Sequence, residues 1–199
     1  MNFLKTKTYE NLKKAFISEC SARTRYEFVE YGQRMQGLEG LATITDKIAY
    51  QEFNHARMLY TMLCQKVKDN PMNNVDVCFD IPFRQRWDIL DNLQFTAKDE
   101  EEEAKFYQKA SKVALEEGFK DVSELFENIR KVELKHKKIF EFLYEGYKNG
   151  TLYKSDTKKN YVCPSCGHEM VGTEPEKVCP LCQAKMETFT ILLPKNLAF

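Results

Sequence analysis

No stretch of about 18 consecutive apolar residues occurs in the chain, so the sequence offers no helix able to span a bilayer. Its first residues, Met1 to Lys7, also lack the apolar run of a secretory signal, and a cytoplasmic location is the expectation. Neither charge is in excess: 30 basic residues balance 30 acidic ones, leaving no overall field to attract nucleic acid or an anionic membrane. Partners should therefore be small molecules or other proteins. Histidine is scarce, with three in all. Cysteine is not, but its seven copies are unevenly placed. Four form two CxxC pairs near the C-terminus and three are scattered, a clustering that favours metal over disulfides. The 199 residues suffice for one medium domain and one small one.

Helical periodicity runs from about Thr8 to Lys68 with a break near Gly37 and Gly40, and resumes from about Phe83 to Gly150 with a break at Gly118. Four long helices in two pairs are expected. The stretch between them, Asp69 to Pro82, contains Asn70-Pro71, Asn73-Asn74 and Pro82 and is long enough to cross the length of a bundle. After Gly150 the composition turns to Lys, Thr, Ser, Asn, Gly and Pro, with two cysteine knuckles and a closing segment from Phe189 to Leu193. The expected division is residues 1–150 and 158–199. The second unit is too small to rest on an apolar core alone, so a bound metal should supply stability.

The helical pairs repeat one another. Gly37 precedes His55 by 18 residues, as Gly118 precedes His136, and each histidine closes a Glu-x-x-His, Glu52 to His55 and Glu133 to His136. Helical spacing i, i+3 puts a carboxylate and an imidazole on one face, here on the stripes of Ile44, Ile48 and Leu59 and of Ile129, Ile139 and Leu143. A single Glu-x-x-His is readily explained by surface pairing, but two with matched glycines suit two metals. Four-helix di-iron sites add one glutamate from each remaining helix. Glu19 is the clean choice on the first, sharing a stripe with Leu12, Phe16, Ala22 and Tyr26, since an isolated charge there demands a partner. On the third, the acidic run from Asp99 to Glu103 offers carboxylates at every angle. Glu100 lies 18 residues before Gly118, as Glu19 does before Gly37, and both Glu19–Tyr26 and Glu100–Tyr107 are seven apart. The repeat therefore selects Glu100, although the stripe of Phe95, Asp99, Glu102 and Phe106 is also apolar.

Cys163-Pro-Ser-Cys166-Gly167 and Cys179-Pro-Leu-Cys182, twelve residues apart, specify a tetrahedral thiolate site. Zinc would make it a structural clip and iron a one-electron relay. His168 is left outside the ligands, and Cys20, Cys64 and Cys78 are expected to pack as small apolar residues.

Glu19, the two Glu-x-x-His motifs, the acidic third helix and the four-cysteine module together resemble the rubrerythrin family over essentially the whole chain. The resemblance implies an all-α ferritin-like four-helix bundle with a long crossover, followed by a small C-terminal rubredoxin-like or zinc-ribbon-like β domain. It implies two non-haem irons bridged by Glu52 and Glu133 and completed by Glu19, His55, Glu100, His136 and Glu103. A further iron, with zinc as the alternative, belongs to Cys163, Cys166, Cys179 and Cys182. Glu103 enters because the family carries a glutamate three residues after the third-helix ligand. Aligned from the tyrosine side, however, the pair becomes Asp99 and Glu102, as if a helical bulge were lost. His168 and Gln183 stand where rubredoxin-like knuckles usually have an aromatic residue and a glycine. The implied activity is peroxidase: hydrogen peroxide is reduced to water, with electrons from a rubredoxin or an NAD(P)H-dependent reductase. Tyr26 and Tyr107 would hydrogen-bond ligand carboxylates, and a homodimer or higher homo-oligomer would bring the relay beside a neighbour's bundle. The alternatives are a ferroxidase or iron-storage protein and a helical interaction protein with a structural zinc ribbon.

Overall fold

The computed structural model describes residues 2–69, 73–78, 80–82 and 88–199. Four long helices dominate it, α1 (Lys7–Met35), α2 (Glu39–Lys66), α3 (Ile89–Glu116) and α4 (Lys120–Lys148). The start of the third helix expected at residues 83–87 lies outside the described residues. Thr6 Oγ1 accepts from Tyr9 N at 3.1 Å to cap α1, and Asp88 Oδ1 accepts from Asp91 N at 2.9 Å to cap α3. Both α1 and α3 end on a glycine in the left-handed region, Gly37 at φ 77° and Gly118 at φ 85°. The next N–H then returns to a carbonyl five residues back, Leu38 to Gln33 at 3.0 Å and Phe119 to Ala114 at 2.8 Å. The glycine spacing in the sequence is thus a duplicated helix cap.

A buried polar layer divides the bundle into two apolar cores. Tyr26, Ile44, Ile48, Leu93, Ile139 and Phe140 belong to one, and Leu12, Leu59, Leu63, Tyr107, Phe126 and Ile129 to the other. Followed along the chain, α1 and α4 pass from the second core to the first, whereas α2 and α3 pass from the first to the second. Consecutive helices α2 and α3 are therefore parallel, and their connection has to travel the length of the bundle. Its described residues form neither helix nor strand, and Lys13 Nζ on α1 donates to Asp76 O at 3.1 Å. Among the described residues no helix is long and apolar enough to cross a membrane.

Beyond the bundle, β1 (Lys159–Val162) and β2 (Glu169–Gly172) form a two-stranded antiparallel sheet in which Lys159 faces Gly172 and Val162 faces Glu169. Its small core is Tyr161, Cys163, Cys179 and Phe189. The closing segment divides its labour, because Phe189 covers the cysteines whereas Ile191 and Leu197 join the bundle's first core. Lys135 Nζ on α4 also donates to Ala198 O at 2.6 Å. Gly40 makes room for this tail: it lies inside the first turn of α2, and a Cβ there would stand 2.1 Å from Phe189 O. The four-cysteine module is thereby seated on the bundle.

Candidate metal centres

The polar layer consists of Glu19 from α1, Glu52 and His55 from α2, Glu100 from α3, and Glu133 and His136 from α4, all buried. Each sits at the middle of its helix, between residues of the two apolar cores, so packing above and below turns it inward. Ligand-type atoms of Glu19, Glu52, His55 and Glu133 lie within 4.8 Å of one another, and so do those of Glu52, Glu100, Glu133 and His136. Glu52 and Glu133 belong to both sets. The duplicated halves interleave, with α2 and α4 giving the shared carboxylates and α1 or α3 the glutamate private to each set.

Both imidazoles present Nδ1 to the carboxylates. His55 Nδ1 is 2.9 Å from Glu52, 3.0 Å from Glu133 and 3.4 Å from Glu19; His136 Nδ1 is 2.9 Å from Glu52, 3.0 Å from Glu133 and 3.6 Å from Glu100. One N–H cannot serve three carboxylates. Accordingly Glu19 Oε2, Glu52 Oε1, Glu100 Oε2 and Glu133 Oε1 are buried without a hydrogen bond. Converging oxygens with so few donors call for cations, and carboxylate oxygen with imidazole nitrogen suits non-haem iron.

Two tyrosines tie the halves together. Tyr26 Oη on α1 donates to Glu100 Oε1 on α3 at 2.6 Å, and Tyr107 Oη on α3 donates to Glu19 Oε1 on α1. Burial first, then the neighbouring carboxylates, raises both phenols well above their ordinary range, so they stay neutral donors. Gln51 is a contact that sequence reasoning missed: its Oε1 is 2.8 Å from His136 Nε2, an acceptor that leaves Nδ1 free for a metal. The equivalent residue of the repeat, 81 positions on, is Val132, so no pattern pointed to it.

The acidic run on α3 separates by angle. Glu100 enters a ligand set, whereas Asp99 turns to Arg25 at 2.8 Å and Glu102 to Lys105 at 2.8 Å on the exposed side. Glu103 is on the inner side but outside both sets, accepting from Ser18 Oγ at 3.2 Å.

The four cysteine sulfurs also lie within 4.8 Å of one another, with Cys163 and Cys182 at 3.6 Å and Cys166 and Cys179 at 3.7 Å. The two knuckles have the same backbone pattern: Gly167 N donates to Cys163 O at 2.9 Å and Gln183 N to Cys179 O at 3.0 Å. Burial opposes ionisation of Cys163, but the N–H groups of Ser165 and Cys166 outweigh it and bring the thiol down to about 7.

A family model described as rubrerythrin matches residues 10–81 and 91–168, and one described as the rubredoxin-like domain of rubrerythrin matches residues 161–190. The chain belongs to the rubrerythrin family. It is 34% identical to a rubrerythrin of Clostridium perfringens over 92% of this chain and 95% of that relative. To a putative rubrerythrin of Methanocaldococcus jannaschii it is 29% identical over 94% of each. Among solved structures, nigerythrin in its fully reduced, all-ferrous state superposes with a TM-score of 0.62 at 25% identity, covering 96% of this chain and 94% of that one. A bacterioferritin of Desulfovibrio desulfuricans shares the fold of the bundle, with a TM-score of 0.64 at 23% identity over 73% of this chain and 82% of that one. A ferritin-like bundle with a di-iron site of carboxylate and histidine groups, and a four-cysteine rubredoxin-like site, are thus parts of this rubrerythrin-family protein.

Gln183 shows how the protein tolerates its departure from the usual rubredoxin-like knuckle. It adopts φ 65°, the left-handed conformation that Gly167 takes at φ 76° in the first knuckle, and bears a strain of about 1 kcal/mol that a glycine avoids. The expected packing of Cys20, Cys64 and Cys78 is corrected, because all three are exposed. Cys20 and Cys64 each follow an inward residue, Glu19 and Leu63, and the 100° helical step turns them outward.

The iron-free protein should lose stability as pH rises. Desolvation, then Glu133 and Glu52, raises Glu19 well above its ordinary 4.5; desolvation pushes Glu100 up to about 8 and, with Glu100, also raises Glu103. Burial opposes charging His55 and His136, but the facing carboxylates win and raise both well above 6.5. Each of these groups stabilises the fold fully below its ordinary value and loses that contribution as pH climbs through its raised one. Glu52 has the opposite sign. Burial opposes its ionisation, but His136 and His55 hold it well below 4.5, so its contribution is complete above that pH and constant beyond. The melting temperature of chelator-treated protein is therefore expected to fall between about pH 5 and about pH 9, and to flatten once iron displaces the protons. Calorimetry across this range checks it; a rising iron-free curve contradicts it.

Proposed function

We propose that the protein is a cytoplasmic non-haem di-iron peroxidase that reduces hydrogen peroxide to water. Cys163, Cys166, Cys179 and Cys182 would hold a further iron, whose one-electron chemistry would link the bundle to a rubredoxin or an NAD(P)H-dependent reductase. The observation that carries this reading is the pairing of two ligand sets that share Glu52 and Glu133 with a thiolate module seated on the same bundle. Glu19, Glu52, His55 and Glu133 would hold one iron and Glu52, Glu100, Glu133 and His136 the other. Ferrous iron held by these residues would supply the two electrons that, with two protons, the reduction of hydrogen peroxide to two waters requires.

The chain's own groups prepare that site. Glu52 and Glu133 belong to both ligand sets, Gln51 sets the His136 tautomer, and the Tyr26 and Tyr107 hydroxyls hold Glu100 and Glu19 from opposite helices. The apolar cores on either side exclude water from the layer.

A ferroxidase or storage role is the second reading, supported by the shared bacterioferritin fold, but it leaves the four-cysteine module without a task. A purely structural helical protein leaves the buried carboxylates without one. With its reductase, the protein is expected to oxidise NAD(P)H in step with added peroxide and to build no mineral from ferrous iron and dioxygen. Mineral growth without peroxide-dependent turnover favours storage.

The subunit contact of the expected homodimer belongs on the outer face of α1 and α2. Phe28, Tyr31, Met35, Tyr50 and Tyr60 are each more than half exposed there, whereas α4 carries no large apolar side chain so exposed. Replacing Tyr31 and Tyr50 together by glutamate is expected to yield monomers in light scattering. A dimer that survives the change places the contact elsewhere.

A further inference from the structure

The duplicated pattern is also broken beside the ligands of α1 and α3. Glu103 stands where the first half of the repeat has Ala22, and Arg25 stands where the second half has Phe106. Acid and base come from opposite helices and meet: Glu103 Oε1 lies 3.5 Å from Arg25 Nη2 and accepts from Ser18 Oγ at 3.2 Å. Both are left with unused polar atoms. Glu103 Oε2 is buried without a hydrogen bond, and so are Arg25 Nε and Nη2, while Arg25 Nη1 donates to Asp99 Oδ2 at 2.8 Å. A pair built for stability would close into the forked geometry that guanidinium and carboxylate favour. This one stays open, with the guanidinium anchored to a second acid on its outer side.

We propose that Arg25 is a positioning residue for Glu103: anchored by Asp99, it holds this carboxylate beside the dimetal site and sets how strongly it joins the iron ligands. The proposal rests on the reading of the two four-residue sets as iron sites. Each set already has three carboxylates and a histidine, so Glu103 is a surplus donor for which iron and Arg25 compete. Asp99 draws the guanidinium away from Glu103 and so moderates that competition.

The test uses the full chain loaded anaerobically with ferrous iron, with affinity read by competition against a chelator. Mössbauer spectra separate the oxygen- and nitrogen-ligated irons from the thiolate-ligated one. Arg25→Met is expected to tighten binding at the bundle about tenfold, the size typical for an outer partner of a metal ligand, and to alter the signal of the bundle iron. Asp99→Asn should act in the opposite direction by giving Arg25 wholly to Glu103. Neither change should matter in a Glu103→Gln background. Unchanged or weaker binding in Arg25→Met overturns the proposal, as does a tightening that persists without Glu103, because Arg25 would then act by its field alone. Failure of the underlying reading looks different: the wild-type bundle would take up no oxygen- and nitrogen-ligated iron at all.

Discussion

Replacing Glu133 by glutamine is expected to strip both irons from the bundle while leaving the thiolate site loaded. Glu133 belongs to both ligand sets, so its loss cannot be confined to one. Glutamine keeps the shape but removes the charge, and its NH2 group, which has no lone pair for a metal, would instead donate to the buried carboxylate oxygens that lack a hydrogen bond. Glu19→Gln or Glu100→Gln, which touch one set each, should spare the other. Peroxide reduction by Glu133→Gln should fall about 1,000-fold or more, since metal stabilisation of the reacting oxygens contributes several kcal/mol. Stability should move the other way. In the iron-free state the variant carries one fewer buried carboxylate among mutually repelling neighbours, so it should melt above iron-free wild type. Metal analysis and calorimetry read both effects, and a variant that retains two bundle irons removes the bridging role of Glu133.

Cys182→Ser should divide the reaction in two. Chemically reduced protein is expected to consume one equivalent of peroxide at the wild-type rate, because the ligand sets of the bundle contain no cysteine. Sustained turnover with the reductase should drop by more than about 100-fold, since losing a ligand exceeds what loss of an outer partner costs. The small domain has an apolar core of four residues, so it should also loosen without its metal. Comparable losses in single and sustained turnover would mean that the module supports the bundle structurally and relays nothing.

The bundle was legible because its signals are local and repeated. Glycine caps, helical stripes and Glu-x-x-His spacing depend on neighbours a few residues apart, and duplication let each half check the other. The same repeat singled out Glu100 from five consecutive acids, and α3, which runs as an α-helix without a π turn from Ile89 to Glu116, keeps Glu100 and Tyr107 on one inner face. Whether the helix contained a bulge could not be read from residue types, which left Asp99 and Glu102 open. Gln51 was invisible because its partner is 85 residues away on another helix and its repeat equivalent is apolar. Gly40 looked like a helix breaker because both a turn and a close approach call for the same residue; only the tail passing over α2 tells them apart. The scattered cysteines were misplaced for a related reason, as small residues beside a ligand stripe face out as easily as in.

On the peroxidase reading the bundle's iron pair reacts with peroxide and is refilled through the thiolate iron. Stopped-flow mixing of fully reduced protein with hydrogen peroxide, and separately with dioxygen, tests it most directly. Oxidation of the bundle irons should be faster with peroxide, followed by loss of electrons from the thiolate site. Oxidation by peroxide no faster than by dioxygen would contradict the account.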